Sequence, residues 1–369
     1  MVLVGLATAL LGPILPLLSR HWELQDQQSG LLLLAQFCGS FTGGMTVSKH
    51  LRRSLILGLA AGAVGFATFA FAPGLPVACA ALYAGGWGCG QIITSGNIIA
   101  GRRYGARRGS ALALLNFAFS FGAMLSPLLA AWLTPRFVLR DLVCGFAACF
   151  AMVLAVALVE MQGATSEALS VSDGSAATGT APVSGLAAPA FLYFAALLFF
   201  YGGVETSLNG WLTTYALRYG DRTLVRSEYI TLIFWASLTV GHGLTSLLLL
   251  RVAETRLQRA GLVCSAVFIL GLATAHGGVA IAVFSVLLGV SLAPFFPTSF
   301  SLLMGHRPSA RQAGVVLAMS GLGAAAIPAI MGVVSTHAGS LQIALAIPLA
   351  AAIVLLAQSL FPPSPATQL

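Results

Sequence analysis

The chain has 369 residues, 58% of them hydrophobic and only 8% charged, where a soluble domain would carry about 25% charged residues. The formal net charge of +8 comes from 18 basic against 10 acidic residues, and the basic ones stand in short stretches between apolar runs. That pattern excludes a soluble globular protein, reads as membrane topology rather than nucleic-acid binding, and gives an all-α integral membrane protein as the fold class.

The amino terminus opens directly on MVLVGLATALLGPILPLL with no basic stretch before it, which argues against a cleaved signal peptide. About 20 residues are needed to span a bilayer, so this run is only just long enough. It predicts a first helix over 2–19 whose natural start lies upstream of Met1. Eleven more apolar segments follow, at 30–48, 54–72, 77–100, 110–133, 138–160, 188–216, 227–250, 260–276, 278–304, 312–335 and 340–361. Each is expected to be helical, because a backbone in lipid must pair its polar groups within its own segment. Pro13, Pro16, Pro127, Pro294, Pro297, Pro328 and Pro348 lie inside these spans, a placement membrane helices tolerate.

With both termini inside, the inner loops hold Lys49, Arg52 and Arg53, then Arg102, Arg103, Arg107 and Arg108, then Arg251, Arg256 and Arg259, and finally Arg307 and Arg311. The outer loops hold Arg20, Arg136, Arg140, Arg218, Arg222 and Arg226. Twelve against six fits the positive-inside rule and predicts cytoplasmic termini. Arg102, Arg103, Arg107 and Arg108 are also placed to meet anionic lipid headgroups, although orientation alone explains them.

Residues 161–187 (MQGATSEALSVSDGSAATGTAPVSGLA) are rich in Ser, Ala, Gly and Thr and contain no aromatic residue. They read as a flexible cytoplasmic linker between six spans in 1–160 and six in 188–369. Shifting the first half by 201 positions brings Gly88 onto Gly289, Asn97 onto Thr298, Gly122 onto Gly323 and Pro127 onto Pro328. Two parallel six-helix repeats about an axis along the membrane normal would give that register.

Glu205 is the one carboxylate that this reading places deep within a span. Burying it ionised costs at least about 2.5–3.5 kcal/mol, so such a residue is expected to face the bundle interior or a water-filled cavity. Gly202 and Gly203 stand just before it and predict a bend or break there. Gln36, Gln91, Asn97, Asn116, Asn209, Trp211 and Thr298 are further polar or amphipathic side chains inside spans. A few placed polar groups in an apolar pocket make a small-molecule site, and this set suits a polyhydroxylated ligand. Interhelical hydrogen bonding, worth about 0.6 kcal/mol on average, explains the same residues. Phe119 and Phe121 serve either as cavity lining or as packing. His242 in the eighth span is either a proton relay or a hydrogen-bonded neutral side chain.

Cys38, Cys79, Cys89, Cys144, Cys149 and Cys264 all lie in apolar segments and form no CxxC pair, so neither a disulfide framework nor a metal site is expected. No glycine-rich loop ends in Lys-Ser or Lys-Thr, which excludes a P-loop ATPase. No cofactor and no enzymatic activity are expected.

The loop Gly44-Met-Thr-Val-Ser48-Lys49-His-Leu51-Arg52-Arg53 resembles the signature of the major facilitator superfamily. Ser48 stands in place of its acid and Leu51 in place of its second glycine. Together with twelve spans and a central linker, the loop identifies the chain as similar to that superfamily. GWGCGQIITSGN (86–97), LNFAFSFGAMLSP (115–127), YGGVETSLNGW (201–211), FFPTSFSLL (295–303) and GAAAIPAIMG (323–332) look like the fucose–galactose–proton symporter family, including its glucose/galactose porter branch and the sodium-dependent glucose transporter-like relatives.

The resemblance implies twelve transmembrane helices in two pseudo-symmetric bundles, a monomer in the bacterial inner membrane, and transport of a monosaccharide, a hexose such as glucose or galactose, by alternating access. It places Asn116 at the family's asparagine near the sugar and Glu205 at the acid of the glucose/galactose branch. Gln91 and Gly12 stand where family members carry coupling acids. Coupling to H+ or Na+, if present, then falls to Glu205 or His242. Gly122, Ser126, Pro127, Ala130 and Ala131 also resemble the antiporter signature of drug exporters, so export of drugs or small metabolites by cation antiport is the alternative. A membrane enzyme or receptor would be expected to show clustered His, Asp or Cys near one interface, or a sizeable soluble appendage.

Overall fold

The computed structural model describes residues 1–48, 50–103, 108–163, 186–220, 224–249, 251–306, 308 and 310–363, without the side chains of 101–103, 108–113, 161–163, 224–226, 246, 310 and 311. The predicted linker therefore lies almost wholly outside the described residues. So do Lys49 and the side chains of Arg102, Arg103, Arg107, Arg108, Arg222, Arg226, Arg307 and Arg311.

Among the described residues the chain is helical, in the order α1 (Val2–His21), α2 (Asp26–Met45), α3 (Leu51–Ala70), α4 (Leu75–Arg103), α5 (Arg108–Leu133), α6 (Leu139–Gly163), α7 (Ala188–Tyr219), α8 (Leu224–Leu248), α9 (Glu254–Thr274), α10 (Gly278–Leu292), α11 (Phe295–Gly305), α12 (Ala310–Ala338), α13 (Leu341–Ala344) and α14 (Ala346–Ser359). Taking α10 with α11 and α13 with α14 as single broken rods, these are the twelve expected spans. Among the described residues, nine rods are long and apolar enough to cross a membrane by length and composition.

Two helices start before their apolar segments, where polar residues favour a helix N-terminus. α2 starts at Asp26 because Gln25 and Gln28 form a reciprocal capping box. α9 starts at Glu254, an acid in the first turn, where the helix dipole favours negative charge. Hydropathy sees only the greasy middle of such helices.

The predicted bend at Gly202 and Gly203 is absent, since α7 is continuous across them. A Cβ on Gly202 would lie 2.2 Å from the Ser320 carbonyl oxygen, and one on Gly203 would lie 2.1 Å from Ile327 Cδ1. These glycines let α12 approach α7. The break falls instead in the tenth rod, at Ala293 and Pro294, where α11 restarts with Pro294 as its N-cap. Proline has no N–H to continue the ladder. This break sets Phe295 flat on Tyr201, with ring centroids 4.5 Å apart and an interplanar angle of 10°.

Helices α1 to α6 pack chiefly among themselves, α1 on α5, α2 and α3 on α4, and α3 on α6. The later helices repeat the plan, α7 on α12, α8 and α9 on α10, and α9 on α14. The repeat is visible at two glycines. A Cβ on Gly122 of α5 would meet the Val2 carbonyl oxygen of α1 at 2.0 Å, and one on Gly323 of α12 would meet the Phe199 carbonyl oxygen of α7 at 1.7 Å. Both positions need glycine for the same crossing in each half. Between the halves, α2 packs on α12, α5 on α8 and α1 on α7. Helices alternate in direction, so the carboxy-terminal ends of α1, α7 and α12 and the start of α2 and α8 share one face, the Asp26 end. The end of α6 and the start of α7 lie on the other, the linker end.

Candidate functional site

The polar centre is built where α7 meets α8 and α1. Glu205, Asn209 and Thr213 recur every fourth residue on α7 and so share one face. Glu205 is half-buried, and the Tyr201 hydroxyl one turn earlier lies beside its carboxyl. Asn209 is buried, and its Oδ1 accepts from Trp235 Nε1 of α8 at 2.6 Å. The Thr213 and Thr231 hydroxyls bond each other at 2.7 Å. Thr231 and Trp235 lie four residues apart, so one face of α8 answers one face of α7.

α1 crosses at the same level. A Cβ on Gly12 would lie 2.4 Å from the Asn209 carbonyl oxygen, so glycine there brings the two backbones into contact. One turn back, the carbonyl oxygens of Ala7 and Thr8 accept from Gln36 Nε2 of α2 at 3.4 and 3.1 Å. Gln36 and Asn209, from different halves, are thereby joined through α1. Gln36 Oε1 is buried with no hydrogen-bond partner.

The remaining predicted residues are placed as follows. Gln91 is buried and donates from Nε2 to Thr46 Oγ1 at 3.0 Å, while its Oε1 has no partner. Asn97 is half-buried and Asn116 is exposed. Trp211 is buried, its indole donating to the Pro328 carbonyl oxygen at 3.1 Å, in the seam between α7 and α12. Thr298 is fully buried, its hydroxyl bonded to the Pro294 and Phe295 carbonyl oxygens of its own helix. His242 is half-buried on α8 and engaged in an interaction. Phe119 is half-buried and Phe121 40% exposed. The structure thus sets Asn209 and Gln36 against α1 one turn apart, with Glu205 one turn from Asn209 on α7, and among the described residues no hydrogen bond joins these three to Gln91, Asn97, Asn116 or Thr298.

Three participants escape a reading of the sequence by hydropathy. Trp235 looks like packing until Asn209 is placed beside it. Tyr201 stands four residues before Glu205, on the same helix face, which was available as a signal. Glu228 sits second in the predicted eighth span, where an acid reads as an interfacial residue, yet it is fully buried.

One end of this centre is shut. The buried Asp26 carboxylate accepts from both terminal guanidinium nitrogens of Arg218, Nη1 at 2.6 Å and Nη2, and also from the Ser335 hydroxyl. Next to it the Gln27 N–H donates to Thr336 Oγ1 at 2.8 Å. Elsewhere, a cavity of about 350 Å³ is lined by Leu186, Ala188, Phe191, Gln312 and Val315. It lies at the linker end of α7, some 17 residues or about 25 Å of helix from Glu205, and is separate from this centre.

In the Ser48 loop, the Ser48 hydroxyl accepts from the His50 N–H at 3.1 Å. A neutral hydrogen bond therefore stands where the signature's acid is missing.

Two helical bundles that meet around a buried polar centre, with a charged clasp across one end, make a carrier for a small solute. The chain belongs to the Major Facilitator Superfamily, whose family model matches residues 1–316. It is a transporter rather than an enzyme, with the twelve-helix fold of that family in two pseudo-symmetric six-helix bundles. Among curated proteins it is similar to "Bypass of stop codon protein 6" of Saccharomyces cerevisiae, 23% identical over 92% of this chain and 76% of the relative. Its fold is shared with the E. coli fucose:proton symporter, at a TM-score of 0.63 and 18% identity over 98% of this chain and 96% of that one. It is also shared with the E. coli xylose transporter in a partially occluded inward-open conformation, at a TM-score of 0.74 and 13% identity over 98% and 97%.

Proposed function

We propose that the chain moves a monosaccharide, of hexose type, across the bacterial inner membrane by alternating access, in symport with H+. The observation that supports this reading is the crossing of α1 and α7 at Gly12 and Asn209, which sets Asn209, one turn from Glu205 on α7, beside the stretch of α1 whose carbonyls hold Gln36 of α2. The fold neighbours named as a fucose:proton symporter and a xylose transporter support the substrate class and the coupling ion. The donor–acceptor chemistry agrees. Gln36 and Gln91 each present a buried amide oxygen without a donor, and sugar hydroxyls are donors. An unmet buried acceptor costs about 1–3 kcal/mol, which a bound hydroxyl or water removes.

In this reading Glu205, Asn209 and Gln36 contact the sugar directly. Gln91, Asn97 and Asn116 complete the site as the halves move. Trp211 and Thr298, both committed to backbone carbonyls, frame it, and Glu205 and His242 are the coupling candidates. Residues 1–160 and 188–369 are the moving bundles, 161–187 is a cytoplasmic linker, and the unit is a monomer. The arginine bias sets the termini in the cytoplasm. The Asp26 end then faces out, and the clasp between Asp26 and Arg218 makes this an outward-closed state.

Counterflow tests the substrate without assuming an ion. Purified protein in liposomes loaded with unlabelled glucose should take up labelled glucose, and related hexoses should compete. If no sugar exchanges in folded protein, the monosaccharide reading fails and export of small metabolites is the reading to pursue.

A further inference from the structure

Glu228 is 0% exposed, and neither carboxyl oxygen has a hydrogen-bond partner. It stands one turn into α8, at the Asp26 end. Thr231 and Trp235 follow it at three and seven residues, so the three side chains lie along one face of the helix. That face is turned to α7, because Thr231 bonds Thr213 and Trp235 bonds Asn209. Glu228 and Glu205 are thus the two ends of one buried polar seam between α7 and α8.

Among the described side chains, the charged and titratable groups around α8 leave Glu228 without a partner. α7 brings Tyr201 and Glu205 at mid-helix and Tyr215, Arg218 and Tyr219 at its end. Arg218 is committed to Asp26, the Tyr201 hydroxyl lies beside Glu205, the Tyr215 hydroxyl donates to the Leu272 carbonyl oxygen, and the Tyr219 hydroxyl, which accepts from the Leu341 N–H, makes no bond to Glu228. α1 brings Arg20 and His21 at its end; α10 and the described side chains of α5 bring none. On α8 itself, Tyr229 is exposed and His242 lies four turns away, while the side chain of Arg226, and Asp221 and Arg222 before the helix, lie outside the described residues. An ionised carboxylate without a cation or donor is among the costliest groups to bury, and such a group persists by carrying a proton.

We propose that Glu228 is a proton-binding site of the transport cycle, occupied in the state seen here. Binding forms one O–H bond on a carboxylate oxygen with H+ taken from water, and release returns H+ to water; no other reactant enters. α8 packs both on α7 of its own half and on α5 of the other, so movement between the halves changes what surrounds Glu228. Its occupancy is thereby tied to the cycle. The inference rests on the transport reading for its role in coupling, while the protonated carboxyl itself does not depend on the substrate.

The test has two arms on protein in liposomes. Without substrate, the infrared C=O stretch of protonated carboxyl groups is compared between wild type and Glu228→Gln, with protein glutamate isotope-labelled. A labelled band that vanishes in the variant is expected, and an unchanged spectrum overturns the proposal. In the transport arm, Glu228→Gln should keep sugar counterflow but lose accumulation driven by a proton gradient. Accumulation at the wild-type level overturns it. If Glu228→Gln does not fold, Glu228→Asp decides. It should shift both the carboxyl band and the pH profile of accumulation, and an unmoved band and profile overturn the proposal. If wild type exchanges no sugar, the monosaccharide reading fails while the infrared arm still judges Glu228.

Discussion

Asp26 and Arg218, 192 residues apart in sequence, form a two-point ion pair that ties the start of α2 to the end of α7, with Ser335 of α12 closing on the same carboxylate. Two atoms of contact from Arg218 give this pair direction as well as charge. The carboxylate is buried while the guanidinium is 41% exposed, so water screens one partner and not the other. The pair is worth less than a buried one, yet its loss leaves Ser335 and Arg218 facing a weaker acceptor.

Asp26→Asn should therefore loosen the Asp26 end rather than unfold the protein. Leaving a buried partner unmet costs about 1–3 kcal/mol, and solvent access to Arg218 puts the value at the low end. About 1.4 kcal/mol is already a tenfold shift between closed and open populations. Spin labels at the exposed positions Glu23 and Ala338, in a background lacking the exposed Cys149 and Cys264, report this directly. The distance distribution should gain a longer component in Asp26→Asn, and an unchanged distribution would mean that the clasp does not set the closed state.

Glu205→Gln keeps the shape of the side chain and removes its charge. Sugar counterflow should persist with weakened affinity, because an amide still offers an acceptor to a hydroxyl. Proton-driven accumulation should fall. Measuring both in the same liposomes separates contact from coupling: intact accumulation removes Glu205 from the coupling step and leaves that role to other groups.

The Gly12 crossing yields a steric prediction. Gly12→Ala sets a methyl group 2.4 Å from the Asn209 carbonyl oxygen, and that oxygen belongs to backbone, which cannot swing aside. Overpacking of this kind costs about 1–3 kcal/mol and falls on the contact between α1 and α7. Counterflow should drop sharply while the protein remains in the membrane. Gly145→Ala, where a Cβ meets nothing within 4 Å, is the control and should transport normally. Equal activity of the two variants would show that the crossing tolerates separation.

Much of this architecture was legible in the residues themselves. Twelve apolar segments gave twelve rods because the membrane leaves a backbone little choice, and the match of Gly122 with Gly323 foretold a shared crossing. The break at Ala293 and Pro294 was harder to read, since the prolines marked several spans and only packing against Tyr201 selects this one. Gly202 and Gly203 signalled a bend but provide close approach, a distinction that depends on α12. Glu205 and Asn209 stood out because polar groups are costly in lipid. Trp235 and the bond between Asp26 and Arg218 did not, because each requires knowing which helices become neighbours. Gly12 read as a missing acid, whereas in the fold it is one of the contacts between the halves.

Trp235 and Trp211 should separate function from framework. Trp235→Phe keeps an aromatic ring but removes the donor to Asn209 Oδ1, a bond of 2.6 Å in a buried setting. An orphaned buried acceptor costs about 1–3 kcal/mol, and the freed Asn209 amide is able to turn away from the site. On the proposed sugar reading, the expected result is a raised KM for sugar together with a lowered Tm, since the loss of this bond is felt both at the site and in the seam between α7 and α8. Trp211→Phe instead removes the donor to the Pro328 carbonyl oxygen and opens space in the seam between α7 and α12, close to where a Cβ on Gly332 would sit 3.1 Å from the Trp211 ring. Its cost should appear as a lowered Tm with KM near wild type. Thermal unfolding followed beside transport kinetics reads both variants. A raised KM for Trp211→Phe without a change in Tm would move Trp211 from the frame into the proposed substrate site.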